Sequence, residues 1–190
     1  MNPRLLLHIC CGPCATVVIE RLQGQYQITS FFYNPNIFPP KEYQRRCEAA
    51  ERVAAFYNIR LIPGVYDHEA FLRAVSGLEL EPEGGSRCHV CFRLRLLAAA
   101  RQAKELGFTL FASALTVGPN KQAAVIDSLG AEVGAGLGIG FLAGDWKKQD
   151  GFRRSVELSR QLDLYRQHYC GCEFSLKKNS GRVQSQNPPR

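Results

Sequence analysis

Arg4-Leu5-Leu6-Leu7-His8-Ile9-Cys10-Cys11-Gly12-Pro13-Cys14 is the stretch on which the fold turns. Its first six residues read as a short buried strand that stops at two cysteines. Pro13 suits the first turn of a helix, where its missing N–H is not needed, and the run Ala15 to Leu22 continues that helix until Gly24. Ile28 to Tyr33, rich in β-branched and aromatic residues, is a second strand, closed by a Pro/Asn turn at Asn34 to Asn36. Strand, helix and strand in succession are the opening unit of a parallel sheet.

The pattern repeats along the chain. From Pro40 to Tyr57 the apolar positions Tyr43, Cys47, Ala50, Ala54 and Tyr57 recur at three- and four-residue spacing, which is one helix face and makes Cys47 a packed core thiol. Arg60 to Ile62 is a third strand and His68 to Val75 a short helix, followed by a long helix from about Arg87 to Leu106. Thr109 to Ala114 is a fourth strand, Asn120 to Leu129 a helix, and Ser155 to Leu164 the last clear helix. The expected fold is a parallel three-layer α/β/α sheet with cysteines at the C-terminal edge of its strands. Residues 1–176 are expected to form one domain, and 177–190 a basic, disordered tail with little to bury. Gly138, Gly140 and Ala143 fit a G-x-G-x-x-A spacing, yet no strand precedes them and no helix opens afterwards. The Gly134 to Gly140 stretch therefore reads as a loop and not as a dinucleotide fingerprint.

Composition narrows the class. The 190 residues, 45% hydrophobic and 22% charged, suit one folded domain. No apolar run approaches the roughly 18 residues of a membrane span. Leu5 to Leu7 is also shorter than the roughly 7-residue core of the smallest signal peptide, so a cytoplasmic protein is expected. The net charge of +7 is uneven: Lys177 to Arg190 carries four basic residues and no acidic ones, and Gly84 to Lys104 likewise lacks acidic residues. Such surfaces favour polyanions, nucleic acid first, although solvated helix faces give the same pattern. No phosphate-binding G-x-x-x-x-G-K-[ST] loop and no Ser-Gly-Gly-x-Asp-Ser signature occurs, so ATP-driven chemistry is unsupported.

Eight cysteines are the loudest feature. A reducing compartment argues against structural disulfides. Seven of the eight fall into three groups, Cys10/Cys11/Cys14, Cys88/Cys91 and Cys170/Cys172, which suggests convergence on one metal or redox centre. Cys10 and Cys11 end a strand, while Cys14, Cys88 and Cys91 sit in first turns of helices, where free N–H groups favour thiolate. Cys10, Cys11, Cys88 and Cys91 would supply the four thiolates that zinc or an iron–sulfur cluster takes. Adjacent cysteines are unusual in a zinc knuckle, which tilts the reading toward a cluster. Val17 breaks the C-x-x-x-C-x-x-C pattern of radical enzymes. Two other readings stand beside the cluster: a zinc-stabilised nucleic-acid-binding module, and a thioredoxin-like dithiol exchanger using Cys11-Gly12-Pro13-Cys14. The exchanger would leave the remaining paired cysteines idle. His8, His68, His89 and His168 are unclustered and read as hydrogen-bonding or surface residues.

Ordered blocks of the sequence resemble the QueH family, the cobalamin-independent epoxyqueuosine reductases. They are His8-Ile9-Cys10-Cys11-Gly12-Pro13-Cys14, Phe32-Tyr33-Asn34-Pro35-Asn36-Ile37, Arg87-Cys88-x-x-Cys91-Phe92-x-Leu94-Arg95 and Leu115-Thr116-x-x-Pro119-x-Lys121. Asp145-Trp146-Lys147-Lys148-x-Asp150-Gly151 and Tyr165-Arg166-Gln167-x-Tyr169-Cys170-Gly171-Cys172 complete the set. Departures are the glycine-rich Gly134 to Gly140, Trp146 in place of Phe, and Cys47. The resemblance implies a fold similar to the adenine-nucleotide hydrolase group and a [4Fe–4S] cluster. It also implies reduction of epoxyqueuosine to queuosine at the wobble position of tRNA, fed by an external electron donor, with no membrane and no stable protein partner. By position, Cys10, Cys11, Cys88 and Cys91 look like cluster ligands, Cys14 like a ligand of an additional iron, and Cys170 with Cys172 like a redox-active pair. For the tRNA, Arg87, Arg93, Arg95, Lys121, Lys147, Lys148, Arg153, Arg154 and Arg166 are candidate contacts together with Asn34, while Tyr33 and Phe92 are candidate base-stacking rings.

Overall fold

The computed structural model of the protein describes residues 2–176; the expected basic tail, 177–190, lies outside the described residues. Among the described residues five strands form one parallel sheet: β1 (Arg4–Ile9), β2 (Gln27–Phe32), β3 (Arg60–Pro63), β4 (Leu110–Ser113) and β5 (Gly140–Leu142). The helices between them are α1 (Gly12–Leu22), α2 (Pro40–Phe56), α3 (His68–Ala74), α4 (Ser86–Glu105) and α5 (Ala123–Leu137), and α6 (Gly151–Gln161) follows β5. The spatial strand order is β3-β2-β1-β4-β5. The chain thus winds outward from β1 in one direction, returns, and winds outward in the other. The reversal falls between β1 and β4, where successive crossovers leave on opposite faces and open a crevice at the carboxyl edge.

The central strand shows why the sheet is buried on both sides. Leu5, Leu7 and Ile9 point into one core, where α1 contributes Val17, Val18 and Ile19 and α2 contributes Ala50 and Val53. Leu6 points into the other, with Leu96, Ala99 and Ala103 of α4 and Ile126 of α5. A continuous apolar run on a central parallel strand is the expected consequence. Truncating Leu6, which is fully buried, to Ala would cost ~2–5 kcal/mol.

The sequence reading is corrected at Gly134 to Gly140. Helix α5 runs through Gly130, Gly134 and Gly136, ends on Gly138 in the left-handed region (φ 70°), and leads straight into β5. A Cβ on Gly130 would lie 2.5 Å from the Phe141 ring, and one on Gly134 2.5 Å from the Ile139 carbonyl oxygen. These glycines therefore let α5 lie against its own following strand. Low intrinsic helix propensity is overridden by packing. Among the described residues no helix is long and apolar enough to cross a membrane.

Candidate active site

The crevice between β1 and β4 is where the first cysteine group sits. Cys10 follows the last residue of β1, and Cys11 is the extended N-cap of α1, whose first turn contains Pro13. Gly12 fits there because a Cβ would lie 2.5 Å from the Ala49 carbonyl oxygen of α2. The turn brings the sulfurs of Cys10, Cys11 and Cys14 within 4.8 Å of one another, with Cys10 and Cys11 3.8 Å apart. Thiol hydrogen bonds from Cys11 and Cys14, with help from Arg95, hold Cys10 well below the ordinary thiol range. The same sharing raises Cys14 and pushes Cys11 up to about 12. Three converging sulfurs, of which Cys11 is fully buried, do not favour a thioredoxin-like exchanger that attacks through an exposed Cys11.

Buried polar groups fix the strand end below the sulfurs. His8 is fully buried, and burial, reinforced by Arg95, lowers it to about 3, so it is neutral. Its Nε2 faces the Tyr33 carbonyl and must be the donor; Nδ1 then accepts from Ser113 Oγ at 2.9 Å, tying β1 to β4. Asn34 donates to the Ile9 carbonyl (3.0 Å) and accepts from Arg95 (2.6 Å).

A segment from Tyr165 to Cys172 crosses in front of the crevice as a strap. Gln167 Nε2 lies 3.0 Å from Cys11 Sγ. Arg46, only 1% exposed, donates to Glu42 on its own helix and to the carbonyls of Tyr169 and Cys170. Glu42 also accepts from the Tyr165 hydroxyl, and Phe38 N–H donates to Gly171. Lys121 Nζ lies 2.9 Å from Cys170 Sγ and 3.7 Å from Glu83. Burial works against the Lys121 charge, but Cys170 and Glu83 outweigh it and keep the ammonium protonated. Strap and crevice enclose a cavity of about 330 Å³ lined by Cys10, Cys14, Arg95, Lys121, Arg166 and Cys170, among others.

The remaining expected site residues separate into groups. Cys88 and Cys91 do not join the close sulfur trio. Cys88 accepts from the Gly84 N–H at 3.2 Å; Cys91 packs with Phe71, Val75 and Cys172, and burial raises its thiol to about 12. Arg95 is the link between the groups, since its charge acts on both Cys10 and Cys91. Cys170 lines the cavity while Cys172 is buried behind it, and burial raises the Cys172 thiol. Several expected tRNA contacts are scaffold instead. Arg87, 2% exposed, clamps the carbonyls of Leu78, Glu79 and Glu81, and Asn34 is wholly buried. Phe92 is core, and Tyr33 stacks on Phe31 outside the cavity lining. Lys147 holds the Lys121 carbonyl, and Arg154 grips Glu20 of α1 with two hydrogen bonds. Arg93 pairs with Glu132 on α5, and Lys148 and Arg153 stand mostly exposed. Arg46 and Gln167 have no individual role legible in the sequence, because their partners Cys170 and Cys11 lie far along the chain. The expected core thiol Cys47 is half-buried and packs at the edge of the α1–α2 core.

Fold and site together define a doubly wound α/β protein whose ligand crevice is lined by thiols and cations. Its fold is similar to that of a predicted subunit of tRNA methyltransferase from Methanocaldococcus jannaschii, with TM-score 0.51, 14% identity, and 80% of this chain and 75% of that one covered. It is also similar to the U34-tRNA thiolase NcsA from Methanococcus maripaludis, solved with its [4Fe-4S] cluster, with TM-score 0.56, 13% identity and coverage of 98% and 67%. The description "Epoxyqueuosine reductase QueH" matches residues 5–178, and the chain belongs to that family. A relative of that name from Streptococcus pyogenes is 42% identical over 183 residues, 93% of this chain and 72% of its own. Another, from Thermotoga maritima, is 33% identical over 176 residues and 90% of each chain.

Proposed function

We propose that the protein reduces the epoxide of epoxyqueuosine at the wobble position of tRNA to the cyclopentene of queuosine. The observation that carries this reading is the convergence of the Cys10, Cys11 and Cys14 sulfurs at the strand reversal, beside a cavity lined by Cys10, Cys14 and Cys170. In the balanced reaction both epoxide C–O bonds break, the oxygen leaves as water with two protons, and two electrons enter the substrate. Closing one dithiol to a disulfide releases two electrons and two protons, and Cys170 with Cys172 would be that pair, Cys170 lining the cavity. An external electron donor then reopens that disulfide. Lys121, whose ammonium donates to Cys170 Sγ and lines the cavity, would be the N–H donor to the departing oxygen.

The donor set fits thiolate-bound iron: the Cys10, Cys11 and Cys14 sulfurs lie within 4.8 Å of one another, and the buried Arg95 and Arg46 offset negative charge. By the family resemblance Cys10, Cys11, Cys88 and Cys91 would hold a [4Fe–4S] cluster and Cys14 an additional iron, which requires the Cys88 and Cys91 sulfurs to join the trio they now lie outside. Such a cluster supplies single electrons and a Lewis-acidic iron. A tRNA substrate supports a cytoplasmic location, where thiols stay reduced.

The test is anaerobic incubation of reduced protein with tRNA carrying epoxyqueuosine, followed by nucleoside digestion. Loss of the epoxide nucleoside and gain of queuosine is expected; unchanged nucleoside with tRNA bound refutes the reading.

A further inference from the structure

Neither ring expected to meet the RNA reaches the cavity: Phe92 is 4% exposed in the core, and Tyr33 lies flat on Phe31. A different aromatic does. Phe152, in the first turn of α6, lines the cavity and is 38% exposed, an unusual position for a ring of that size. Its surroundings are fixed. The Arg166 guanidinium lies 5.9 Å from the ring centroid, within cation–π range, and is anchored by the Ser155 carbonyl and Ser159 Oγ. Helix α6 is braced on α1 by the Arg154–Glu20 pair, and Arg21 of α1 donates to the carbonyls of Trp146, Lys148 and Gln149 just ahead of α6.

We infer that Phe152 is the platform on which a nucleobase of the anticodon loop stacks when the modified nucleoside enters the thiol-lined cavity, with Arg166 backing the ring. Three observations name a nucleobase as the occupant. The exposed ring is continuous with the cavity where the chemistry is placed. An anchored guanidinium lies beside it, and bases stack on aromatic and guanidinium planes alike. Lys148 and Arg153, 77% and 70% exposed, flank the ring in sequence, and their surface pairs with Asp145 and Asp150 are weak enough for phosphate to displace. Tyr169, the other six-membered aromatic ring of the lining, is committed elsewhere, with its hydroxyl on the Phe38 carbonyl and Arg46 over its ring.

The inference rests on the proposed reductase reading, and its test separates the two. Binding of an anticodon stem-loop RNA carrying epoxyqueuosine is measured by anisotropy for wild type, Phe152→Ala, Phe152→Leu and Phe152→Trp. Loss of one base stack weakens Phe152→Ala about 5- to 150-fold, equivalent to ~1–3 kcal/mol. Phe152→Leu keeps apolar bulk without a π face and stays weak, whereas Phe152→Trp binds like wild type and guards against a folding artefact. The RNA also quenches the indole at position 152 beyond the quenching of Trp146, the single native tryptophan. Full binding by Phe152→Ala, or rescue by Phe152→Leu, overturns the platform. Wild-type protein that binds the RNA with Phe152-dependent affinity yet leaves the epoxide intact sinks the reductase reading alone.

Discussion

Arg46→Met probes the brace that holds Cys170. Arg46 loses three donations at once: to Glu42 at 2.7 Å, to the Cys170 carbonyl at 3.0 Å and to the Tyr169 carbonyl at 3.2 Å. With side-chain exposures of 2% and 8%, Arg46 and Glu42 form a buried pair, so the weak energetics of surface pairs do not apply. Removing the cation leaves the Glu42 carboxylate with only the Tyr165 hydroxyl as partner, and breaking such a pair costs ~3–5 kcal/mol. That is a large share of the ~5–15 kcal/mol by which a domain is stable. Arg46→Lys keeps the charge without the planar fork and should cost about one charged hydrogen bond, ~1.5–3 kcal/mol. Urea unfolding of the metal-free, reduced protein gives these values, and adding Glu42→Gln to Arg46→Met should recover part of the loss. A local readout goes with it: alkylation of Cys170, followed by mass spectrometry at native conditions, should accelerate as the strap loosens. Arg46→Met within ~1 kcal/mol of wild type, with unchanged Cys170 alkylation, would refute the bracing role, since that is the scale of an ordinary surface substitution.

A matched pair of glycine substitutions tests the α5–β5 packing: Gly134→Ala should lower Tm, because its Cβ meets the Ile139 carbonyl at 2.5 Å, while Gly136→Ala, with nothing within 4 Å, should gain up to ~1 kcal/mol. In anaerobically purified protein Cys10→Ser and Cys88→Ser should each bleach the visible absorbance of a cluster, whereas Cys170→Ser should keep the colour and lose turnover. A colourless wild type loaded with zinc would favour the binding-module reading instead. The Arg154 hydrogen bonds hold the Glu20 carboxyl below its usual 4.5, so the pair stabilises above that value and its contribution disappears as pH falls through the depressed one. With side chains 39% and 34% exposed the pair is screened by solvent, so Glu20→Gln should lower stability slightly at pH 7 and not at all once the carboxylate is protonated.

What the sequence disclosed follows from which signals are local. Leu5 to Ile9 announces β1 because apolar run and helix-starting Pro13 are adjacent, and the Pro40 to Tyr57 periodicity announces α2 because one face repeats for four turns. Strand β5 was missed because three residues, one of them glycine, carry no periodicity, and the glycines before it read as a breaker until Phe141 and Ile139 are seen against them. The same distinction governs the site. The Cys10, Cys11 and Cys14 trio lies within a single turn of chain, so spacing revealed it. Arg46 and Gln167 owe their roles to partners as far as 156 residues away in the sequence, and the burial of Arg87 and Asn34 turned expected RNA contacts into scaffold.

The central place of β1 also has a temporal side. Its hydrogen-bonded neighbour β4 is encoded far downstream, with His8 and Ser113 105 residues apart. During synthesis the vulnerable sulfurs therefore emerge long before the wall that shelters them, and throughout that interval they are open to oxidants and stray copper or zinc. The thiol crevice is therefore complete only after the chain has been made past Ser113.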